Sequence, residues 1–433
     1  MILMSNRIHF CQRYKLFGLS VLISLTLLSP SRAGSDIDNG KLLIAADSGT
    51  RIPTFPSNNS TLPDIKPRRI LKVGPAQLYP TPSRAAAIAK DGDVIEIEAG
   101  IYPADAAVWK ANYLTIRGTG GRAHLRADGA SVQGKAIWVT NGDNITIEDI
   151  EFSGAKVPHK NGSGIRHQGG NLTIRNCYFH NNENGILTNN NPAAEILIEN
   201  SEFARNGYGD GQSHNMYIGA VKKFTLRYSY SHHAIVGHNV KTRAKENHIL
   251  YNRIMDEADG NSSYIVQFPN GGQAFLIGNL LQQGPHAQNH TMVSYGDEGI
   301  SEDIAPELYV VNNTFVNERE NGQFLRSGDN HLVKIINNIF FGKGIPPSDN
   351  KQALVKRNLI TTTDGFRNLS NYDYRLRQDS LAINKAIYPG FSTNIVALAP
   401  TFQYSHPASK AQRLDDGKLD LGACEFHQES VRE

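Results

Sequence analysis

The stretch Asn171-Leu172-Thr173-Ile174-Arg175-Asn176-Cys177-Tyr178-Phe179 decides the fold, because its pattern returns along the chain. Copies begin at Asn144, Glu195, Phe224, His248, Ala274, Leu308 and Val333, each a short run with β-branched or aromatic residues at alternate positions. Each copy leads to a polar bend, near positions 149, 176, 200, 228, 252, 279, 312 and 337, in steps of 24 to 33 residues. A unit this short cannot bury its own apolar face, so successive copies must stack to make a core. Period-two alternation makes each copy a strand. Asn at the bend tolerates left-handed backbone and can pass an amide hydrogen bond from one coil to the next.

The expected fold is therefore all-β, a right-handed single-stranded parallel β-helix in which every strand pairs with its equivalent one coil away. Leucine-rich repeats would require Leu at fixed spacings, whereas the connections here are rich in Asn and Gly. Working outward, residues 69–426 form this domain and 427–433 a tail. The one helical segment is Pro82-Ser83-Arg84-Ala85-Ala86-Ala87-Ile88-Ala89-Lys90, stopped by Asp91-Gly92-Asp93 and placed to cap the N-terminal end of the core.

Residues 34–68 are polar and carry Pro53, Pro56, Pro63 and Pro67, the composition of a flexible linker or arm. Residues 1–33 read as a secretory signal: Arg7, Arg13 and Lys15 precede the apolar run from Leu16 to Leu28, and Ser31-Arg32-Ala33 offers cleavage after Ala33. That run is short of the ~20 residues that span a bilayer. The expected product is secreted or periplasmic, without membrane insertion.

Of 44 basic residues, four leave with the signal, so 40 face 41 acidic ones. A near-neutral chain has no global basic field for nucleic acid, and any anionic ligand must be held by a local cluster. Cys177 and Cys424 lie far apart in apolar runs and read as buried free thiols.

The chain resembles the pectate-lyase-like superfamily at both ends. The alanine-rich segment followed by Asp91-Gly92-Asp93-Val94-Ile95-Glu96-Ile97 and Ala99-Gly100-Ile101-Tyr102 is similar to the opening of these β-helices. Tyr374-Arg375-Leu376, Asp379-Ser380-Leu381-Ala382-Ile383-Asn384 and Asp420-Leu421-Gly422-Ala423-Cys424-Glu425 resemble the closing segment of many bacterial members. The resemblance covers residues 70–426. It implies the fold, and only loosely a chemistry, since one fold hosts many activities.

Ionisable residues concentrate on two coils, in Asp210-Gly211-Gln212-Ser213-His214-Asn215-Met216-Tyr217 and in His232-His233 through Gly237-His238-Asn239-Val240-Lys241-Thr242-Arg243. Counting back equal lengths from the bends stacks Ile186, His214 and His238, and likewise Asn189, Tyr217 and Lys241. If Val240 and Thr242 face the core, Lys241 and Arg243 face solvent. A cationic pair beside a tyrosine suits β-elimination of a uronic-acid polymer: one group neutralises the carboxylate, one takes the C5 proton, one protonates O4. Like-charge repulsion from Arg243 would make Lys241 a better base. The expected catalytic set is Lys241, Arg243, Tyr217, His238 and His214; the expected substrate-binding set is Asn189, Asn215, His232, His233, Asn239, Gln267, Asn270 and Arg326. The Lys241 segment also resembles the strand bearing the catalytic lysine of chondroitinase B and alginate lyases. One coil further on, Gln267 and Asn270 stand where the resemblance would call for an arginine.

The expected partner is an acidic polysaccharide, acted on by a monomer. No cofactor is required; Ca2+ is the one candidate, with Asp210, Asp256 and Asp259 as oxygen ligands. Rival readings are a glycoside hydrolase, which needs converging carboxylates where the central coils show Asp210, a C5-epimerase sharing the first proton abstraction, and a non-catalytic exopolysaccharide-binding or assembly protein.

Overall fold

A computed structural model describes residues 68–301, 305–329, 331–345, 350, 352–414 and 416–427. The expected signal (1–33) and nearly all of the expected arm (34–68) lie outside the described residues.

The chain winds into a right-handed parallel β-solenoid. One face is a nine-stranded parallel sheet running from Ala107–Trp109 through Ala136–Thr140, Ser163–His167, Asn184–Thr188, Met216–Ile218, Val240–Thr242, Val266–Phe268 and Thr291–Tyr295 to Gln323–Arg326. The remaining faces form a 21-stranded sheet, welded into one near the N-terminus because Val94–Pro103 and Thr115–Arg126 run unbroken through the bend. The repeat explains the register. Ile147, Ile174, Ile198, Leu226, Ile249 and Leu276 pair one above another and are buried. Phe152, Phe179 and Phe203 stack behind them at ring spacings of 4.9 and 4.6 Å, and Trp138 meets Phe152 edge-on at 5.0 Å.

Two consecutive residues share the work expected of one bend Asn. The first takes left-handed backbone: Asp149, Asn176, Asn200, Tyr228, Tyr251, Gly278, Asn312 and Asn337 have φ between 48° and 68°. The second turns inward. Asn252, Asn279, Asn313, Asn338 and Asn358 form a ladder in which each amide donates to the next carbonyl oxygen at 2.9 to 3.0 Å. A second ladder, Asn182–Asn206–Asn215–Asn239–Asp256, runs inside another bend. Both satisfy buried backbone groups that the turning chain exposes.

The helix is Pro82–Ala86, shorter than its sequence suggests. The Asp93 carboxylate accepts the Lys90 N–H at 2.7 Å and pairs with Arg69 at 2.5 Å, drawing the chain out of the helix into the next strand. Ala85 is nonetheless buried in the core, so the helix covers the first coils. No helix among the described residues is long and apolar enough to cross a membrane. Cys177 and Cys424 are buried free thiols.

Beyond the last coils the chain returns along the outside of the solenoid. Phe402 packs edge-on to Tyr228 and Tyr251 at 5.7 and 5.9 Å, and Asn200 donates to the Ala408 carbonyl at 3.1 Å. A buried Arg413–Glu425 ion pair at 2.8 Å closes this segment on itself.

Candidate active site

The three-residue strand Val240–Thr242 turns Val240 and Thr242 into the core and leaves Lys241 outward, with Arg243 following. Parallel pairing then builds an outer column: Arg166, Leu187, Tyr217, Lys241, Gln267, Ser294, Arg326. At ~4.8 Å per coil, an arginine stands ~14 Å from Lys241 in each direction. Tyr217 and Lys241 are direct neighbours, as the repeat spacing predicts. Asn189 is not in the column, and Ile186 pairs with Met216 rather than His214. Two extra residues sit in a bulge between Asn191 and Glu195, so equal counting from the bend misplaces that coil.

The centre of the column is a charge network. Lys241 Nζ donates to Glu298 Oε1 at 2.9 Å and Arg243 Nη2 to Glu298 Oε2 at 2.5 Å. Arg243 Nε donates to the Tyr217 hydroxyl at 2.8 Å, and Nη1 to Asn270 Oδ1 at 2.5 Å. Both cationic groups also lie 5.8 Å from the Tyr217 ring centre. Burial alone would push the Glu298 carboxyl up, but the hydrogen bonds from Lys241 and Arg243 outweigh it and hold it below the usual carboxylate range. The expected repulsion between Lys241 and Arg243 is thus offset by a carboxylate lying between them.

Glu298 and its neighbour Asp297 stand on Gly296-Asp297-Glu298-Gly299, a turn that follows the strand Thr291–Tyr295 and is tied to the previous coil by Glu298 N–H to Pro269 O at 2.9 Å. Asp297 Oδ2 accepts from Gln267 at 2.9 Å and pairs with Arg326 at 3.4 Å. Neither carboxylate emerges from the repeat. Its one signal is an acidic pair bracketed by glycines directly after a strand. Arg166 is also missed, although Gly164-Ile165 repeats in Gly185-Ile186; it donates to Asn189 Oδ1 at 2.8 Å.

Several expected site residues lie elsewhere. Asn215 and Asn239 are fully buried rungs of the second ladder, so they hold the bend and cannot reach a ligand. His232 ends the strand Tyr230–His232 of the 21-stranded sheet and His233 follows it, away from the nine-stranded sheet that carries Lys241. His232 stacks on Tyr230 at 4.0 Å and pairs with Glu202, while His233 pairs with Asp259 at 2.8 Å. Gln267 is buried beneath the acidic turn, engaged with Asp297. Tyr295, at the end of the next strand, is buried and donates to the Gly272 carbonyl at 2.5 Å.

His214 and His238 are buried behind the column rather than presented on it. His214 Nδ1 accepts the His238 N–H at 3.0 Å, and its ring stacks on Tyr217 at 5.7 Å. Burial, then the nearby His238, Lys241 and Arg243, holds His214 well below its ordinary range. Burial, then Lys241, pushes His238 down to about 3. Both imidazoles are held neutral, buried behind Tyr217 and Lys241.

This has a pH consequence. In the unfolded chain His238 returns to 6.5 and takes a proton that the fold refuses until about pH 3, so stability rises with pH across that window. Acidification from pH 6.5 to 5 should cost about 2 kcal/mol for this one residue, at ~1.4 kcal/mol per pH unit. Urea unfolding at the two pH values should show a loss that includes this contribution, and His238→Gln should reduce it by about that amount; an unchanged slope in the variant would refute the assignment.

The expected calcium ligands do not converge. Asp256 is fully buried at the end of the second ladder, accepting from Asn239 and Gly284, and burial raises its carboxyl to about 6. Asp259 is taken by His233 and Arg205, and Asp210 accepts the Gln212 N–H in its own turn. These residues do not make a calcium site.

No protein-family model matches the sequence and no curated protein matches it. Among solved structures, the chain is similar to pectate lyase Pel9A, with a TM-score of 0.56 at 17% identity over 84% of this chain and 98% of that one. A pectin methylesterase from Aspergillus niger aligns with a TM-score of 0.27 at 11% identity, over 68% of this chain and 85% of that one. The likeness to Pel9A shows the fold, a pectate-lyase-like right-handed parallel β-helix.

Proposed function

We propose that the protein is a polysaccharide lyase that cleaves a uronic-acid polymer by β-elimination on the outer column around Lys241. The observation that supports this is the Glu298 carboxylate, gripped between Lys241 and Arg243 on a solvent-facing sheet. A patch that holds one carboxylate through two cations beside a phenol has the chemistry to hold another.

In this reading the substrate carboxylate displaces Glu298 and takes the Arg243 guanidinium, which Asn270 orients. Bound charge makes the C5 proton acidic. The Lys241 side-chain nitrogen takes that proton; the C5–H electron pair forms the C4–C5 double bond as the C4–O4 bond breaks. The Tyr217 hydroxyl, already accepting from Arg243, delivers a proton to the departing O4. His214 and His238 hold Tyr217 and Lys241 in place.

A hydrolase reading gains from Asp297 and Glu298, since two carboxylates do flank the column. A hydrolase needs one of them protonated as general acid. Glu298 is held ionised instead, and Asp297 pairs with Arg326, so elimination is favoured.

The test is incubation with a panel of uronic-acid polymers, following ultraviolet absorbance of the unsaturated product. Reducing ends without that absorbance would mean hydrolysis, and neither would mean epimerisation or binding alone. Glu298→Ala removes the internal competitor for Arg243. Because Glu298 is 40% exposed, its pairs are screened, and the expected gain in affinity for a uronate oligomer is about tenfold. Equal or weaker binding by the variant, measured by calorimetry, would sink the carboxylate-exchange idea.

A further inference from the structure

On the 21-stranded sheet, not the one that carries Lys241, three coils bring together two histidines and a glutamate that the proposed reaction does not use. His124 lies directly across from Glu151, and His180 across from Ser153, two residues further along the same outward face. His180 Nε2 is 3.0 Å from Glu151 Oε1 and His124 Nε2 is 3.4 Å from the same oxygen. All three potential ligand atoms lie within 4.8 Å of one another. Among the described residues, no other set of three such groups is gathered in this way.

We propose that His124, Glu151 and His180 bind a zinc-like divalent transition-metal ion that staples three successive coils. Two imidazoles and a carboxylate suit zinc, cobalt or nickel better than calcium or magnesium, which prefer oxygen alone. A tetrahedral ion with bonds of about 2.0 to 2.2 Å sets its donors about 3.3 to 3.5 Å apart, close to the two histidine–glutamate spacings already present. The side chains are 18 to 24% exposed, leaving an entry path and room for a water as fourth ligand.

The surroundings hold the ligands in place. The His180 ring stacks on Tyr178 at 4.4 Å, and Asn181 Nδ2 lies 2.9 Å from His180 Nδ1. Turning that amide end for end places its oxygen to accept an Nδ1–H, the usual support for an Nε2-bound metal. His124 Nε2 meets Ser153 Oγ at 2.7 Å, a contact the ion would replace.

The experiment uses the full chain without a histidine tag, stripped of metal and titrated with Zn2+ by calorimetry and with Co2+ by visible absorbance. One ion per chain, four-coordinate cobalt bands and a higher Tm are expected. His180→Ala and Glu151→Gln should abolish binding, and Asn181→Ala should weaken it by about tenfold to a hundredfold. Circular dichroism establishes that each variant is folded; if His180→Ala is not, the near-isosteric Glu151→Gln decides. Absence of saturable binding, or the same affinity in the folded variants, overturns the proposal and leaves a hydrogen-bonded His–carboxylate–His cluster.

Discussion

Lys241→Ala is expected to lower elimination on the true substrate by about a thousandfold, the range for removing a general base being about 10² to 10⁴. The fold should not change, because the strand is anchored by Val240 and Thr242, both fully buried, while Lys241 points outward. Matching Tm values for variant and parent would establish that. Lys241→Arg separates two roles. Arginine preserves the charge and the pairing with a carboxylate but cannot serve as a base near neutral pH. If Lys241 takes the C5 proton, the arginine variant binds uronate oligomers and fails to turn them over. Turnover by Lys241→Arg would reduce Lys241 to an electrostatic role, and turnover by Lys241→Ala would remove it from the mechanism.

The second large effect concerns stability. Asn279 is a central rung of the first ladder: its amide donates to Asn313 Oδ1 at 2.9 Å and to the Ile249 carbonyl at 2.8 Å, and its oxygen accepts the Asn252 N–H at 2.9 Å. Asn279→Ala deletes these bonds and strands buried polar groups on both neighbouring coils, each costing about 1 to 3 kcal/mol. A loss of about 4 kcal/mol is expected, read as a lower urea midpoint with an unchanged slope. Arg357→Gly, at an exposed bend residue with φ of 51°, should be neutral or slightly stabilising because glycine adopts that backbone without strain. Equal losses at both positions would mean that the bends do not divide left-handed geometry from laddering.

The parts of this molecule legible in its sequence are those that repeat. Inward strand residues recur with each coil, so the core and the Tyr217–Lys241 pairing follow from counting. Counting fails where a coil carries extra residues, as between Asn191 and Glu195, because a bulge leaves no compositional mark. It also fails to sort asparagines: Asn215 and Asn239 read like surface amides, yet a ladder Asn and a ligand-binding Asn are the same residue in different burial. Asp297 and Glu298 arise from a turn outside the period. His124, Glu151 and His180 are 27 and 29 residues apart, so only stacking of coils makes them neighbours.

The returning C-terminal segment alters what kind of object the solenoid is. A stack of coils in which each touches only the next behaves as a one-dimensional array, able to fray from either end. Here Thr401 and Ala408 reach coils 150 and 208 residues earlier in the chain. That strap ties loss of the last turns to exposure of Tyr228 and Tyr251 in the middle, so terminal fraying carries a penalty remote from the end where it starts. The sheet that carries Lys241 is thereby insulated from unravelling at the C-terminal end.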